Sequence, residues 1–128
     1  MAWAYTALIF LLVTLPLNGK DQVFGTLNNN YVLSIRFDYF FHALLFIPWV
    51  VLGGYAYGVA RKSPVNVWTW GVGAGLFAVA CEYIQWILPY RTFNINDLVA
   101  NSLGVVVGTG LYALMVRFEK RVVKTFFR

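Results

Sequence analysis

Four long apolar segments constrain this chain more than any other feature of its sequence. They cover residues 1–17, 39–60, 65–88 and 98–118, and a helix of this length crosses or nearly crosses the hydrocarbon core of a bilayer. Because 60% of the 128 residues are hydrophobic and only 12% are charged, a soluble domain of this size would leave much apolar surface in water. The sequence therefore predicts an all-α membrane protein with four transmembrane helices in a compact bundle.

The first segment, residues 1–17, has the length of a signal peptide as well as that of a short span. A signal peptide carries Lys or Arg before its apolar core and small residues at a cleavage site after it. Neither feature is present here, so we interpret the segment as a retained helix. Residues 1–128 then form a single membrane domain, in which a basic amphipathic tail at 117–128 follows the fourth helix.

The basic residues predict the orientation of the chain and its partners. With four spans, both termini and the turn at Arg61 and Lys62 lie on one side. That side carries most of the basic residues, including five in the tail: Arg117, Lys120, Arg121, Lys124 and Arg128. Because basic segments stay in the cytoplasm, we expect both termini to be cytoplasmic. The net charge of +5 then favours contact with membrane lipids, and no nucleic acid is expected as a partner.

Metal and disulfide chemistry have no support in the sequence. The single cysteine, Cys81, excludes an internal disulfide and any cysteine-based metal cluster. No spacing of His, Asp and Glu is diagnostic of a metal site. We expect neither a metal nor another cofactor.

Polar residues recur near the predicted outer ends of the second, third and fourth helices. They are Asp38, His42, Glu82, Gln85, Arg91, Asp97 and Asn101. Within each helix they are three or four residues apart and therefore share one face, at similar depth. Ionisable groups at membrane depth cost roughly 2.5–3.5 kcal/mol each on insertion scales, so they usually have a function or a partner. We expect them to form one outward-facing pocket that binds a ligand.

The same residues also have structural interpretations. Three of them are of the kind that joins helices by hydrogen bonds alone: His42, Gln85 and Asn101. Glu82 is placed to form an ion pair with Arg91. Asp97 is predicted to be the N-cap of the fourth helix, with its carboxylate at the positive end of the helix dipole. Asp38 would be a solvated cap at the membrane interface.

Glycines spaced four residues apart mark faces on which helices approach each other closely. The pairs are Gly54 and Gly58, Gly71 and Gly75, and Gly104 and Gly108. Such small faces favour tight helix contacts in lipid. Packing within the bundle and contact between copies in a homo-oligomer both remain open.

The motif Glu82-x-x-Gln85, Pro89-x-Arg91, Phe93, Asp97-x-x-x-Asn101-x-x-Gly104-x-x-x-Gly108 resembles the VanZ-like family of small polytopic bacterial membrane proteins. The upstream pair Asp38-x-x-x-His42 resembles the other recognisable block of that family. The resemblance covers about residues 36–110. The chain departs from the family pattern at Tyr39, where lysine is frequent, and at Asn94, where aspartate is common.

This resemblance implies a multi-pass protein of the bacterial cytoplasmic membrane. The namesake of the family is associated with low-level resistance to the glycopeptide teicoplanin, by a route other than remodelling the peptidoglycan termini. We therefore expect an envelope protein whose pocket binds an amphipathic envelope lipid or glycan, or a lipoglycopeptide, with teicoplanin-type resistance as one consequence.

Two other functions fit the same residues. An intramembrane hydrolase or transferase acting on a lipid-linked substrate would use His42 as a general base, oriented by Asp38 or Glu82. Arg91 would stabilise developing negative charge, and Asp97 is a further catalytic candidate. A proton-coupled carrier would relay protons through intramembrane Glu and His. The inner halves of the predicted helices carry no acids, which disfavours a carrier. The sequence does not decide between binding and catalysis.

Overall fold

A computed structural model describes residues 2–14, 31–32, 35–63, 65–88 and 94–126. Its four long helices and one single-turn helix are α1 (Ala2–Thr14), α2 (Phe37–Ala56), α3 (Val59–Lys62), α4 (Val65–Ile87) and α5 (Ile95–Phe126). Two-residue strands, β1 (Tyr31–Val32) and β2 (Ile35–Arg36), pair in antiparallel fashion directly before α2. Apart from this minimal pair and a few residues between the helices, the described chain is helical.

Three helices are long and apolar enough to cross a membrane. Their candidate spans are Tyr39–Ala56 in α2, Val65–Ile87 in α4 and Ile95–Thr125 in α5. The prediction of a multi-pass helical protein is thus confirmed. The 13 residues of α1 extend only about 20 Å, against a hydrocarbon core of about 30 Å. A fourth span and the side on which the termini lie therefore stay predictions.

The predicted bounds of the second and fourth helices were wrong. The second helix, predicted over 39–60, ends at Ala56. Gly58 adopts φ 59° and ψ 34°, a left-handed conformation between α2 and α3. Its packing against another helix stays a prediction. The fourth helix, predicted over 98–118, begins at Ile95 and continues to Phe126, because no Gly or Pro after residue 110 stops it. The basic tail is therefore an unbroken extension of α5, which is about 48 Å long.

The hydroxyl of Tyr112 forms hydrogen bonds with backbone groups on both sides of the break between α2 and α3. Its hydroxyl donates to the carbonyl of Gly54 at 2.8 Å and accepts the N–H of Ala60 at 3.1 Å. The carbonyl of Gly54 loses its usual helical donor because the N–H of Gly58 bonds to the carbonyl of Tyr55, at 3.1 Å. Since Tyr112 is only 1% exposed, water cannot replace its hydroxyl at this position.

The parallel helices α2 and α5 make the most extensive contact in the bundle, and we call it the α2–α5 seam. A methyl group built on Gly104 would collide with the carbonyl oxygen of Ala43. One built on Gly108 would lie 2.9 Å from the carbonyl oxygen of Ile47 and 3.0 Å from Cβ of Val50. Small residues permit this approach of two backbones, which gains packing energy in a lipid solvent.

The remaining predicted glycines have varied surroundings. Gly54 lies against the ring of Tyr112, and Gly71 lies against the side chain of Thr109 on α5. A methyl group on Gly75 meets no described atom within 4 Å. In this part of the structure, Gly75 therefore faces open space rather than a neighbouring helix.

Aromatic rings fill the space between α1, α2 and α4. Trp49 stacks on Phe77 with ring centroids 4.9 Å apart and lies 5.7 Å from Trp70. The indole N–H of Trp49 donates to Oγ1 of Thr6 at 2.8 Å, and that of Trp70 donates to the carbonyl of Val50 at 3.0 Å. These contacts hold α1 and α4 against α2.

Gly104→Ala should lower the free energy of unfolding by about 1–3 kcal/mol, because its methyl group overpacks a contact with backbone that cannot move aside. Gly110→Ala on the same helix is the matched control, since a methyl group there meets no described atom within 4 Å. The measurement is unfolding of the purified protein in mixed micelles. Equal effects of the two substitutions would contradict the close approach in the α2–α5 seam.

Tyr112→Phe should destabilise the protein by about 1–3 kcal/mol, because it leaves a buried carbonyl and a buried N–H without their partner. Tyr55→Phe serves as the control. It removes a hydroxyl that donates to Glu119 at 2.9 Å in an exposed position, where water replaces the lost bond. The free energy of unfolding is measured for both variants in the same micelles. A larger decrease for Tyr55→Phe than for Tyr112→Phe would refute the role assigned to Tyr112.

Candidate functional site

Polar side chains gather at the end of the bundle where α2 and α5 begin and α4 ends. We call them the polar cluster: His42, Glu82, Gln85, Asp97 and Asn101. Glu82 and Asn101 are 0% exposed, and Gln85 is 2% exposed. Asp97 is also buried, and His42 is half-buried. The predicted polar residues of α4 and α5 thus form a buried layer rather than a solvated rim.

A hydrogen bond between His42 and Asn101 crosses the α2–α5 seam. Nδ1 of His42 lies 3.2 Å from Oδ1 of Asn101, although 59 residues separate the two in the chain. Because an amide oxygen only accepts hydrogen bonds, Nδ1 carries the proton. In the neutral imidazole, Nε2 then has the lone pair and can accept a proton or a hydrogen bond.

The amide nitrogen of Asn101 is a buried donor. No described residue accepts a hydrogen bond from its Nδ2. An unsatisfied buried donor costs about 1–3 kcal/mol, so native structures usually pair such groups with protein, water or ligand. Asn101 therefore presents an N–H group at a position where a bound acceptor would be stabilising.

Glu82 connects the end of α4 to the start of α5. Its Oε1 accepts the backbone N–H of Asn94 at 3.0 Å. The predicted ion pair between Glu82 and Arg91 stays a prediction, because Arg91 lies outside the described residues. Asp38 belongs to the first turn of α2, and its side chain likewise lies outside the described part.

Asn94, not Asp97, caps α5, so the predicted N-cap was wrong by three residues. Oδ1 of Asn94 accepts the N–H of Asn96 at 3.0 Å, and its carbonyl accepts the N–H of Leu98 at 3.2 Å. Asn is a preferred N-cap residue, a signal already present in the sequence. Asp97 lies in the first helical turn, where its carboxylate is still near the positive end of the helix dipole.

Metal-ligating and thiol groups are sparse in this structure. Within the described ranges, no group of three or more His, Cys, Asp or Glu residues is arranged to hold a metal ion. Cys81 is buried in the apolar core, among residues such as Ala74 and Ala78. The chemistry of the polar cluster therefore rests on imidazole, carboxylate and amide groups.

Three membrane-length helices around a buried polar layer define a multi-pass helical membrane protein. The family model described as VanZ/LLP1 matches residues 2–116, so the chain belongs to the VanZ/LLP1 family. The match includes α1, which the resemblance over residues 36–110 did not. No curated protein and no solved structure matches the chain.

Tyr39 and Asn94 both form hydrogen bonds beside the polar cluster. Tyr39 accepts a hydrogen bond from Nδ2 of Asn96 at 3.2 Å, which joins α2 to the start of α5. Asn94 donates its backbone N–H to Glu82 and caps α5 with its side chain. Sequence reasoning missed Asn96 as a link between these helices, because only the folded chain brings it to Tyr39.

A double-mutant cycle of His42→Ala and Asn101→Ala should give a coupling energy of about 0.5–3 kcal/mol, since the two side chains share a hydrogen bond. Pairing His42→Ala with Ser102→Ala is the control. The hydroxyl of Ser102 donates to the carbonyl of Leu98 on its own helix, at 2.8 Å. Unfolding in micelles measures both cycles. Additive effects of His42→Ala and Asn101→Ala would be inconsistent with the bond across the seam.

Proposed function

We propose that the polar cluster binds the polar head of an amphipathic envelope molecule, and that this binding gives teicoplanin-type resistance. The ligand is an envelope lipid or glycan, or the lipoglycopeptide itself. The observation that carries the proposal is the fully buried amide of Asn101, whose Nδ2 donates to no described residue. A hydrogen-bond acceptor from a ligand would satisfy this group.

The chemistry of the cluster suits sugar and peptide groups. Asn101 offers an N–H donor, and Nε2 of His42 offers an acceptor when the ring is neutral. The carboxylates of Glu82 and Asp97 suit hydroxyl and amide N–H donors. Hydrogen bonds to ionised groups in a site with little water are stronger than neutral ones.

The orientation predicted by the basic residues places this end of the bundle at the outer face of the cytoplasmic membrane. Arg91, which lies between α4 and α5 in the sequence, would meet an anionic group of the ligand. A lipid chain on the ligand would remain in the bilayer beside the helices. An amphipathic molecule therefore fits both the polar cluster and its surroundings.

A second candidate is an intramembrane hydrolase or transferase acting on a lipid-linked envelope substrate. It is favoured by the hydrogen bond from Nδ1 of His42 to Asn101, which orients the ring and leaves Nε2 to act as a general base. Asn101, rather than the carboxylate expected from the sequence, would then be the orienting group. Glu82 and Asp97 would remain candidates for proton transfer.

The test is the teicoplanin susceptibility of a sensitive Gram-positive host that expresses the native chain or one of its variants at equal membrane levels. Protection by the native chain should be lost in Asn101→Ala, His42→Ala and Glu82→Gln. Glu82→Gln retains an oxygen that can accept the N–H of Asn94, so its effect reports the lost charge. Ser102→Ala is the control and should protect like the native chain.

Equal protection by native and cluster variants would contradict a role for the polar cluster, and no protection by the native chain would contradict the resistance function. Envelope lipids from the same strains distinguish the two candidates. A lipid profile that changes with the native chain but not with His42→Ala indicates catalysis. An unchanged profile together with cluster-dependent protection indicates binding.

A further inference from the structure

A cavity of about 220 Å³ lies where the end of α2 meets the later part of α5. The break at Gly58 and the short helix α3 complete its wall. Two exposed side chains of opposite charge, Glu119 and Lys120, line it. Its described lining residues include none of the polar cluster. This is therefore a separate candidate site, at the other end of the α2–α5 seam.

The carboxylate of Glu119 is held in place by Tyr55. The hydroxyl of Tyr55 donates to Oε1 of Glu119 at 2.9 Å. A carboxylate has about four acceptor positions, so this bond leaves Glu119 able to accept N–H groups from a ligand. Tyr55 belongs to the last turn of α2, and the C-terminal end of a helix adds partial negative charge. This side of the cavity therefore suits a cation with several N–H donors.

Lys120 supplies the opposite charge one residue further along α5. Neighbouring residues on a helix point about 100° apart and do not face each other, so Glu119 and Lys120 do not neutralise each other across the helix surface. An ammonium group is a strong donor to phosphate oxygens. The cavity wall therefore has one side for a cation and one side for an anion.

The cavity lies at the level of the lipid headgroups. Tyr55 is the residue before the end of the candidate span Tyr39–Ala56. The first basic residue along α5 is Arg117, two residues before Glu119. The headgroup region extends about 5–7 Å beyond the hydrocarbon core on each side, which is about one helical turn. Phosphate and amine groups of the surrounding phospholipids therefore lie beside Glu119 and Lys120.

The size and charge of the cavity select among phospholipid headgroups. Its volume equals that of about seven water molecules at about 30 Å³ each, which suits a compact headgroup. Phosphatidylethanolamine carries a phosphate and a primary ammonium with N–H donors. The quaternary ammonium of phosphatidylcholine has no N–H group for Glu119. Phosphatidylglycerol has no cation, so its phosphate would meet Lys120 but no charge would meet Glu119.

We infer that this cavity binds the headgroup of phosphatidylethanolamine, with the ammonium at Glu119 and the phosphate at Lys120. The acyl chains remain in the bilayer beside the helices. The inference is independent of the ligand proposed for the polar cluster, since the two sites share no residue. The bound headgroup would join the end of α2 to the extension of α5.

Native mass spectrometry of the full chain in mild detergent tests this inference, with phosphatidylethanolamine and phosphatidylglycerol of the same acyl chains supplied at equal concentration. The native chain should retain more phosphatidylethanolamine. Glu119→Gln should abolish this preference, because its amide oxygen can still accept from Tyr55 but the charge that attracts the ammonium is lost. Lys120→Gln should lower the retention of both lipids about threefold, the effect of losing one partly solvated charge pair.

Lys124→Gln is the matched control, because it removes the same charge one helical turn further along α5, from an exposed residue outside the cavity wall. It should retain both lipids like the native chain. Equal losses in Lys120→Gln and Lys124→Gln would show a general attraction to the basic tail and overturn the inference. Equal retention of the two lipids by the native chain would also overturn it. Phosphatidylcholine retained as well as phosphatidylethanolamine would refute the ammonium contact at Glu119.

Discussion

The close approach of α2 and α5 at Gly104 and Gly108 is the constraint on which the rest of this structure depends. In lipid, no hydrophobic force presses two apolar helices together, so their association rests on packing and hydrogen bonds. Backbone contact at Ala43 and Ile47 supplies that packing. It also sets the spacing at which side chains above and below can meet across the seam.

Polar contacts follow the α2–α5 seam from one end to the other. Near the start of both helices, Asn101 meets His42. Two turns below Gly104, the hydroxyl of Tyr112 bonds to the backbone on both sides of the break at Gly58. A single face of α5 therefore carries a candidate binding group at one end and a structural hydrogen bond at the other. The seam that stabilises the bundle also positions the polar cluster.

The polar cluster has features of both interpretations that the sequence left open. Glu82 bonds to the backbone of Asn94, and His42 bonds to Asn101, so both side chains join helices. Joining helices does not account for the amide nitrogen of Asn101, a donor that is fully buried and has no acceptor among the described residues. That donor is the observation that supports the proposal of a ligand at this end of the bundle.

The sequence by itself determined the class of protein, the family and the helices that carry the polar residues. The length of the apolar segments indicates the class, a local motif indicates the family, and three- and four-residue spacing indicates which helix faces carry the polar residues. Each of these signals is local in the sequence. It missed the end of α2, because the left-handed conformation of Gly58 is stabilised by Tyr112, a distant residue. The sequence predicted the cap of α5 at Asp97 rather than Asn94, because both residue types suit an N-cap. The bond from the backbone N–H of Asn94 to Glu82 joins the start of α5 to α4, so the local sequence does not reveal it.

Only the tertiary structure decided which polar groups are partners. It joined His42 to an amide rather than to a carboxylate. Depth along a helix can be read from residue number, since the rise per residue is constant. The direction in which each helix face points depends on how neighbouring helices pack, and that follows from contacts such as Gly104 with Ala43 between residues far apart in the chain.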